Sequence, residues 1–333
     1  MQHRSLGHNG PRVHPLGIGA MSFSNFYGPT TEAQSHAILD AAMSAGVNHI
    51  DTSNVYGMGN SETVIGTYLK ANPSAKDHFS IATKGGITRN PDGPGNIFNN
   101  SAAHLQAELE GSLKRMGVEA VDLYYLHRRD ASVPIEEVTE TMAALVKSGK
   151  AKSIGFSEIA PTTLRRAHAV HPVAAVQSEY SLSTRSPELG LSQTCAELGV
   201  ALVAFSPVGR SFLTDTPLSY AAAQELPFLT HNPRFMQPNY DANIAAVAPF
   251  QKLAAEMRIS TAGLAIAWVL AQGDHVIPIP GTRSLTHFAQ LLEGAERSVT
   301  SHELAAIAEI LPLGWAHGDR YSAAQWNGPE RYC

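Results

Sequence analysis

The chain has 333 residues, 44% of them apolar and 16% charged, which suits a folded protein with a large core and argues against long disordered stretches. With 24 Lys and Arg against 29 Asp and Glu, its net charge of −5 lacks the basic footprint that nucleic acid or an anionic membrane surface calls for. Two cysteines, Cys195 and Cys333, exclude a disulfide framework and make a reducing cytoplasm the expected compartment. The N-terminus lacks the apolar region of a secretory signal, and the longest nearly apolar run, Leu264 to Ala271, falls far short of the roughly 20 residues that span a bilayer.

A polar turn at Asn9-Gly10 between two short segments predicts an N-terminal β-hairpin. Eight short apolar or β-branched runs then read as strands: Leu16–Gly19, Val47–Asp51, Phe79–Thr83, Val121–Leu126, Lys152–Phe156, Val173–Gln177, Val200–Phe205 and His275–Ile279. Helical patterns separate them, with apolar residues three and four apart, as in Leu105-Leu109-Leu113. Thr31 opens a helix that stops at Gly46, Ser101 one that stops at Gly117, and Pro134 one that closes at Gly149. This alternation predicts an α/β fold, a (β/α)8 or TIM barrel in a single domain over 1–333; an open doubly wound sheet of about six strands is the alternative.

One interval breaks the rhythm. Residues 207–240 are rich in Pro, Ser, Thr and aromatics and read as a long βα loop over the active face, with helices at about 241–257 and 260–271 beyond it. After a helix near 301–310, the tail 311–333 loses periodicity but carries Trp315, Tyr321, Trp326 and Tyr332, which predicts a lid packed across a pocket.

In such a barrel the catalytic groups sit where the strands end and the βα loops converge. Strand two ends in Asp51 with Tyr56 in the loop after it, strand three in Lys84, strand four in His127. Singly, each has a plain alternative: a turn cap, a solvated strand end, a core histidine, a loop aromatic. Together they make a chemical unit. A neighbouring ammonium lowers a phenol's pKa, a carboxylate holds that ammonium in place and charged, and a histidine donates to a carbonyl oxygen as charge builds on it. The set suits carbonyl reduction, and since no side chain supplies hydride, it requires a nicotinamide cofactor.

The segments LGIGAM, GVNHIDTSNVYGMGNSE, ATKGG, GSLKRMGVEAVDLYYLHR, KSIGFSE, AVQSEYSL, VAFSPVGRSFL and PIPGTRS follow one another over residues 4–295, and as a set the chain resembles the aldo-keto reductases, most nearly the longer-chain microbial aldehyde and ketone reductases. The resemblance implies reversible NADPH-dependent reduction of an aldehyde or ketone by a monomer or weak homo-oligomer, with NADH as the alternative cofactor. It makes Tyr56 the proton donor, Lys84 and Asp51 its electrostatic partners, and His127 the donor that orients the carbonyl. Ser157, Glu158 and Gln177 fall at the nicotinamide carboxamide, Glu158 replacing a more usual Asn, and Phe205 replaces the usual Tyr under the nicotinamide ring.

The same resemblance wraps the pyrophosphate in Ser206, Pro207, Val208, Gly209, Arg210 and Phe212. Gly281, Thr282 and Arg283 form an anion site opening a helix, where Arg283 would pair with a 2′-phosphate. His287, Gln290 and Leu291 stand where the family often has Arg, Glu and Asn toward the adenine. Phe23, Phe26 and Tyr27 of the first loop line the substrate mouth, implying a hydrophobic carbonyl. Two further readings stay open: a cofactor-holding regulatory subunit with slow turnover, and alcohol oxidation by the same residues.

Other motifs carry less. Gly17-Ile18-Gly19-Ala20-Met21-Ser22 approaches a dinucleotide fingerprint but ends in Ser and opens a loop. His168 and His171 lack the carboxylate or cysteine partners of a metal site and read as a surface helix end.

Overall fold

The hairpin comes first. In the computed structural model, which describes residues 2–90, 93 and 95–332, β1 (Arg4–Ser5) pairs antiparallel with β2 (Arg12–Val13) around the Asn9-Gly10 turn. Met1, Pro91, Asp92, Pro94 and Cys333 lie outside the described residues, so of the two cysteines only Cys195 is placed, buried in the core, and the tail is described as far as Tyr332.

All eight anticipated strands form: β3 (Ile18–Gly19), β4 (His49–Asp51), β5 (Ser80–Gly85), β8 (Leu123–Leu126), β9 (Ile154–Ser157), β10 (Val173–Glu179), β11 (Ala201–Phe205) and β12 (Val276–Pro278). They pair in parallel in chain order, as the strand-helix alternation requires. The ring closes between first and last strands, where Gly17 N donates to Pro278 O at 2.9 Å and Gly19 N to Pro280 O at 3.0 Å. This seam explains the two glycines better than a nucleotide motif does. A Cβ on Gly17 would stand 2.9 Å from Ile279 Cγ2, and one on Gly19 would stand 2.5 Å from Ile279 O.

Alternation along each strand sends one set of side chains inward and the other toward the helices. The inner set includes Ala82, Leu123, Tyr125, Ala175, Val203 and Ile277, and the hairpin adds Leu6 and Val13. The hairpin closes the end where strands begin: Arg4 donates to Leu270 O and Gly273 O just ahead of β12. The outer set packs on amphipathic helices. Thr31 caps the helix Glu32–Ser44 with a reciprocal box to Gln34, and the helix Ala102–Met116 buries Leu105, Leu109 and Leu113 before ending at Gly117 with φ 66°. The helix after Pro134 spans Ile135–Lys147.

Three features go beyond the sequence expectations. A second hairpin, β6 (Ile87–Arg89) with β7 (Asn96–Phe98), rises from the loop after β5. The 207–240 excursion is not a plain loop but contains short helices at Tyr220–Gln224 and Pro227–Thr230. Beyond the helix Ser301–Ile310 the irregular tail returns to the barrel, where Trp315 Nε1 donates to Leu182 O at 2.8 Å. Among the described residues no single helix is long and apolar enough to cross a membrane.

Candidate active site

The ends of β4 and β5 place opposite charges side by side. Asp51 and Lys84 are 2% and 0% exposed and form an ion pair in the barrel mouth. Lys84 Nζ also donates to Thr52 O at 2.8 Å and to the Tyr56 hydroxyl at 3.2 Å, and stands 4.9 Å from the centre of the Tyr56 ring. Burial alone would lower the Lys84 pKa, but Asp51 and Tyr56 outweigh it and hold the ammonium above its usual range. Asp51 uses its second oxygen as well, accepting from Gln177 Nε2 at 2.7 Å. Tyr56 is carried on a loop that Thr52 and Ser61 tie down, their hydroxyls 2.9 Å apart and Ser61 donating to Ala20 O at 2.8 Å.

His127 follows β8 and meets Tyr56 edge-on, ring centres 5.9 Å apart. Its Nδ1 lies 3.1 Å from Ser53 Oγ. Burial first, then the charges of Arg128 and Lys84, push its pKa well below the usual histidine value, so the ring is neutral at physiological pH. The four residues anticipated for chemistry, from three separate chain segments, thus meet in one mouth.

Around them lie the remaining site residues. Ser157 and Gln177 are register partners on β9 and β10, buried at 2% and 3% exposure. Ser157 Oγ accepts from Arg128 Nη1 at 2.9 Å. Phe205, half-buried, ends β11 against the inner core. Glu158, expected at the carboxamide, has both carboxylate oxygens engaged within the protein. Its Oε1 accepts from Ser178 Oγ at 3.0 Å and Glu179 N at 2.8 Å, and its Oε2 pairs with Arg320 of the tail.

Past β11, Ser206, Gly209, Arg210 and Ser211 all take positive φ in a tight turn, with Pro207 buried and Val208 against the core. The Arg210 guanidinium, expected at a pyrophosphate, is committed to Glu179 and to Arg320 O. The Phe212 ring is 2% exposed and stacks on Phe235 at 4.5 Å. Phe23 is 1% exposed within the main core. Phe26 and Tyr27 stay half-buried at the mouth, Phe26 lying 5.0 Å from Phe228 of the excursion, and burial pushes the Tyr27 phenol up to about 12.

Across the ring, Gly281 lies against β3, where a Cβ would come within 2.7 Å of Gly19 O. Ser22 Oγ ties the same two segments, donating to Thr282 O at 3.1 Å. Ser284 caps the helix Leu285–Glu296 through His287 N. Arg283 reaches back to Pro29 O and forms no other hydrogen bond among the described residues. Gln290 is engaged by Asp215 at 3.0 Å, His287 is exposed, and Leu291 is buried.

What the sequence did not reveal is how the tail docks. The guanidiniums and rings of Phe228, Arg210, Tyr321, Arg320, Trp326 and Arg331 alternate in a stack with spacings of 4.4 to 5.1 Å. Glu330 pairs with Arg129, accepts from Ala160 N at 2.7 Å, and donates its own N–H to Glu158 O at 2.8 Å. Ser53 and Arg128 were also missed, although both lie inside the segments that carry the resemblance.

The chain matches the Aldo/keto reductase family model over residues 15–312. It is 38% identical over 328 residues to probable aldo-keto reductase 1 of Glycine max, covering 98% of this chain and 92% of that protein. To the NADP(+)-named aldo-keto reductase yakc of Schizosaccharomyces pombe it is 35% identical over 321 residues, covering 96% and 94%. Among solved structures, a glycerol dehydrogenase from Gluconobacter oxydans aligns with a TM-score of 0.81 at 26% identity, covering 93% of this chain and 94% of that one. The chain belongs to the aldo/keto reductase family and is an NAD(P)H-dependent oxidoreductase.

Proposed function

We propose that the protein reduces an aldehyde or ketone to the alcohol with NADPH, Tyr56 giving the proton, and that the whole chain works as one barrel domain with its tail as a lid. The observation that carries this is the buried ammonium of Lys84 held between Asp51 and the Tyr56 hydroxyl. When bound, the nicotinamide supplies the hydride. The residues present fit it. Ser157 keeps its own hydroxyl proton and Gln177 its Oε1, a donor beside an acceptor, which is what a primary carboxamide takes. Phe205 offers a ring face, Arg283 an uncommitted guanidinium edge for a 2′-phosphate, and the name of the fission-yeast relative favours NADP.

The protein's own part is placement and proton transfer. Neutral His127 donates to the carbonyl oxygen while Tyr56 passes it the phenolic proton, and Lys84 steadies the phenolate left behind. Asp51 keeps Lys84 charged at its post. Phe26 and Tyr27 with Phe228 give the mouth an aromatic wall, which favours a hydrophobic substrate. The same groups run the reverse reaction, so metabolite ratios set the direction.

A steady-state assay of NADPH oxidation over a panel of small and aromatic aldehydes and ketones tests this. Saturable turnover on the aromatic members is expected. Tight NADPH binding with no turnover on any member would instead favour a cofactor-holding subunit.

A further inference from the structure

A neutral imidazole carries one N–H, so a histidine that donates from one nitrogen must accept at the other. His127 meets the protein at Nδ1, through Ser53 Oγ at 3.1 Å. Ser53 is fully buried, and the same Oγ lies 3.1 Å from Asn54 Oδ1. The hydroxyl has one proton for these two acceptors. Given to Asn54, it leaves Ser53 able only to accept, so the ring proton must sit on Nδ1. Nε2 is then an acceptor, with nothing to offer a carbonyl oxygen.

The amide of Asn54 removes the conflict. Half a turn about its Cβ–Cγ bond puts Nδ2 where Oδ1 stood, and Nδ2 donates to Ser53 Oγ. The turn breaks no other contact, because among the described residues the Asn54 side chain has no partner but Ser53. Ser53 then gives its proton to Nδ1, and the ring proton belongs to Nε2.

We propose that Asn54, Ser53 and His127 form a directed hydrogen-bond chain, Nδ2–H to Oγ–H to Nδ1, which sets His127 as the Nε2–H tautomer and makes it the donor to the substrate's carbonyl oxygen. Ser53 and Asn54 are positioning residues that act through the ring. Both the role toward substrate and the direction of the chain rest on the reductase function proposed above, because only a donating Nε2 calls for the turned amide. The neutrality of His127 fits the same picture, since a protonated ring would donate from both nitrogens.

Nitrogen NMR of the full-length protein labelled with 15N-histidine tests the chain, the His127 signals being those lost in His127→Gln. Wild type is expected to show a protonated Nε2 and a hydrogen-bonded, unprotonated Nδ1; a proton on Nδ1 would overturn the proposal. Asn54→Asp can only accept, so it should take the Ser53 proton, move the ring proton to Nδ1 and lower kcat about tenfold, with NADPH affinity unchanged. An unaltered tautomer in Asn54→Asp would count against the chain. Ser53→Ala should lower kcat by a similar factor and shift the Nδ1 signal, and Ser53→Thr should restore both; wild-type kcat and an unmoved Nδ1 signal in Ser53→Ala would refute the role of Ser53. A wild-type protein that reduces no carbonyl, yet inverts its tautomer in Asn54→Asp, would sink the reductase function while supporting the chain.

Discussion

Lys84 Nζ lies 3.2 Å from the Tyr56 hydroxyl and shares its remaining protons between Asp51 and Thr52 O, so the end of β5 and the loop after β4 are joined through one buried ammonium. Removing that ammonium leaves Asp51 as an unpaired buried charge. Breaking such a pair costs roughly 3–5 kcal/mol.

Lys84→Met should therefore lose about that much stability in urea as well as most of its turnover. Adding Asp51→Asn to Lys84→Met should recover a large part of the stability and none of the turnover, because the charge left unpaired is gone while the ammonium proposed to act on Tyr56 is still missing. Equal unfolding midpoints for the single and double variants would contradict this.

Arg320 does for the tail what Lys84 does for the mouth. Burial on its own raises the Glu158 pKa, but the Arg320 guanidinium, with Arg128 and Glu179 N–H, outweighs it and holds the carboxyl below the usual range. A carboxyl depressed on folding contributes stability above its unfolded pKa of about 4.3, and that contribution is lost as pH falls through the folded value. Arg320→Ala leaves burial without its main opponent, so the Glu158 pKa should rise. The expected result is a loss of about 3 kcal/mol at pH 7 that shrinks toward pH 4, with faster amide exchange over residues 318–330. A loss independent of pH would show that Arg320 acts through its ring stacking alone.

His127 is pushed well below its usual pKa by burial and by two neighbouring cations, so its ring should show no ionisation between pH 5 and 8 when followed by NMR. On the proposed role of a neutral donor, His127→Gln, which also offers an N–H, should retain more kcat/KM than His127→Ala, the latter falling about 10²-fold. An acid limb of the rate profile that disappears in His127→Gln would mean the charged ring takes part.

The eight barrel strands were legible because each is a short apolar or β-branched run set off by turns or helical patterns, and the N-terminal hairpin because Asn9-Gly10 marks its turn. The hairpin Ile87–Arg89 with Asn96–Phe98 escaped notice since its strands are three residues long and lack an apolar alternation, though the Pro-Asp-Gly-Pro-Gly run between them was a turn signal. Asp51, Tyr56, Lys84 and His127 were legible because barrel topology fixes where strand ends meet. That the rings of Phe23 and Phe212 pack into the core was not legible, because an aromatic residue in a loop can face core or ligand with the same sequence neighbours. Glu158 and Arg320 are 162 positions apart, and no local pattern announces a pairing across that distance.

Everything proposed for the reaction turns on the Tyr56 phenol as the proton source. Tyr56→Phe keeps the ring and removes only the hydroxyl, so its kcat for aldehyde reduction, measured beside NADPH affinity by fluorescence titration, is the most direct measurement. A fall of about 10²–10⁴-fold in kcat with near-normal NADPH binding is the predicted result. Turnover equal to wild type would contradict it, since the proton would then come from another group.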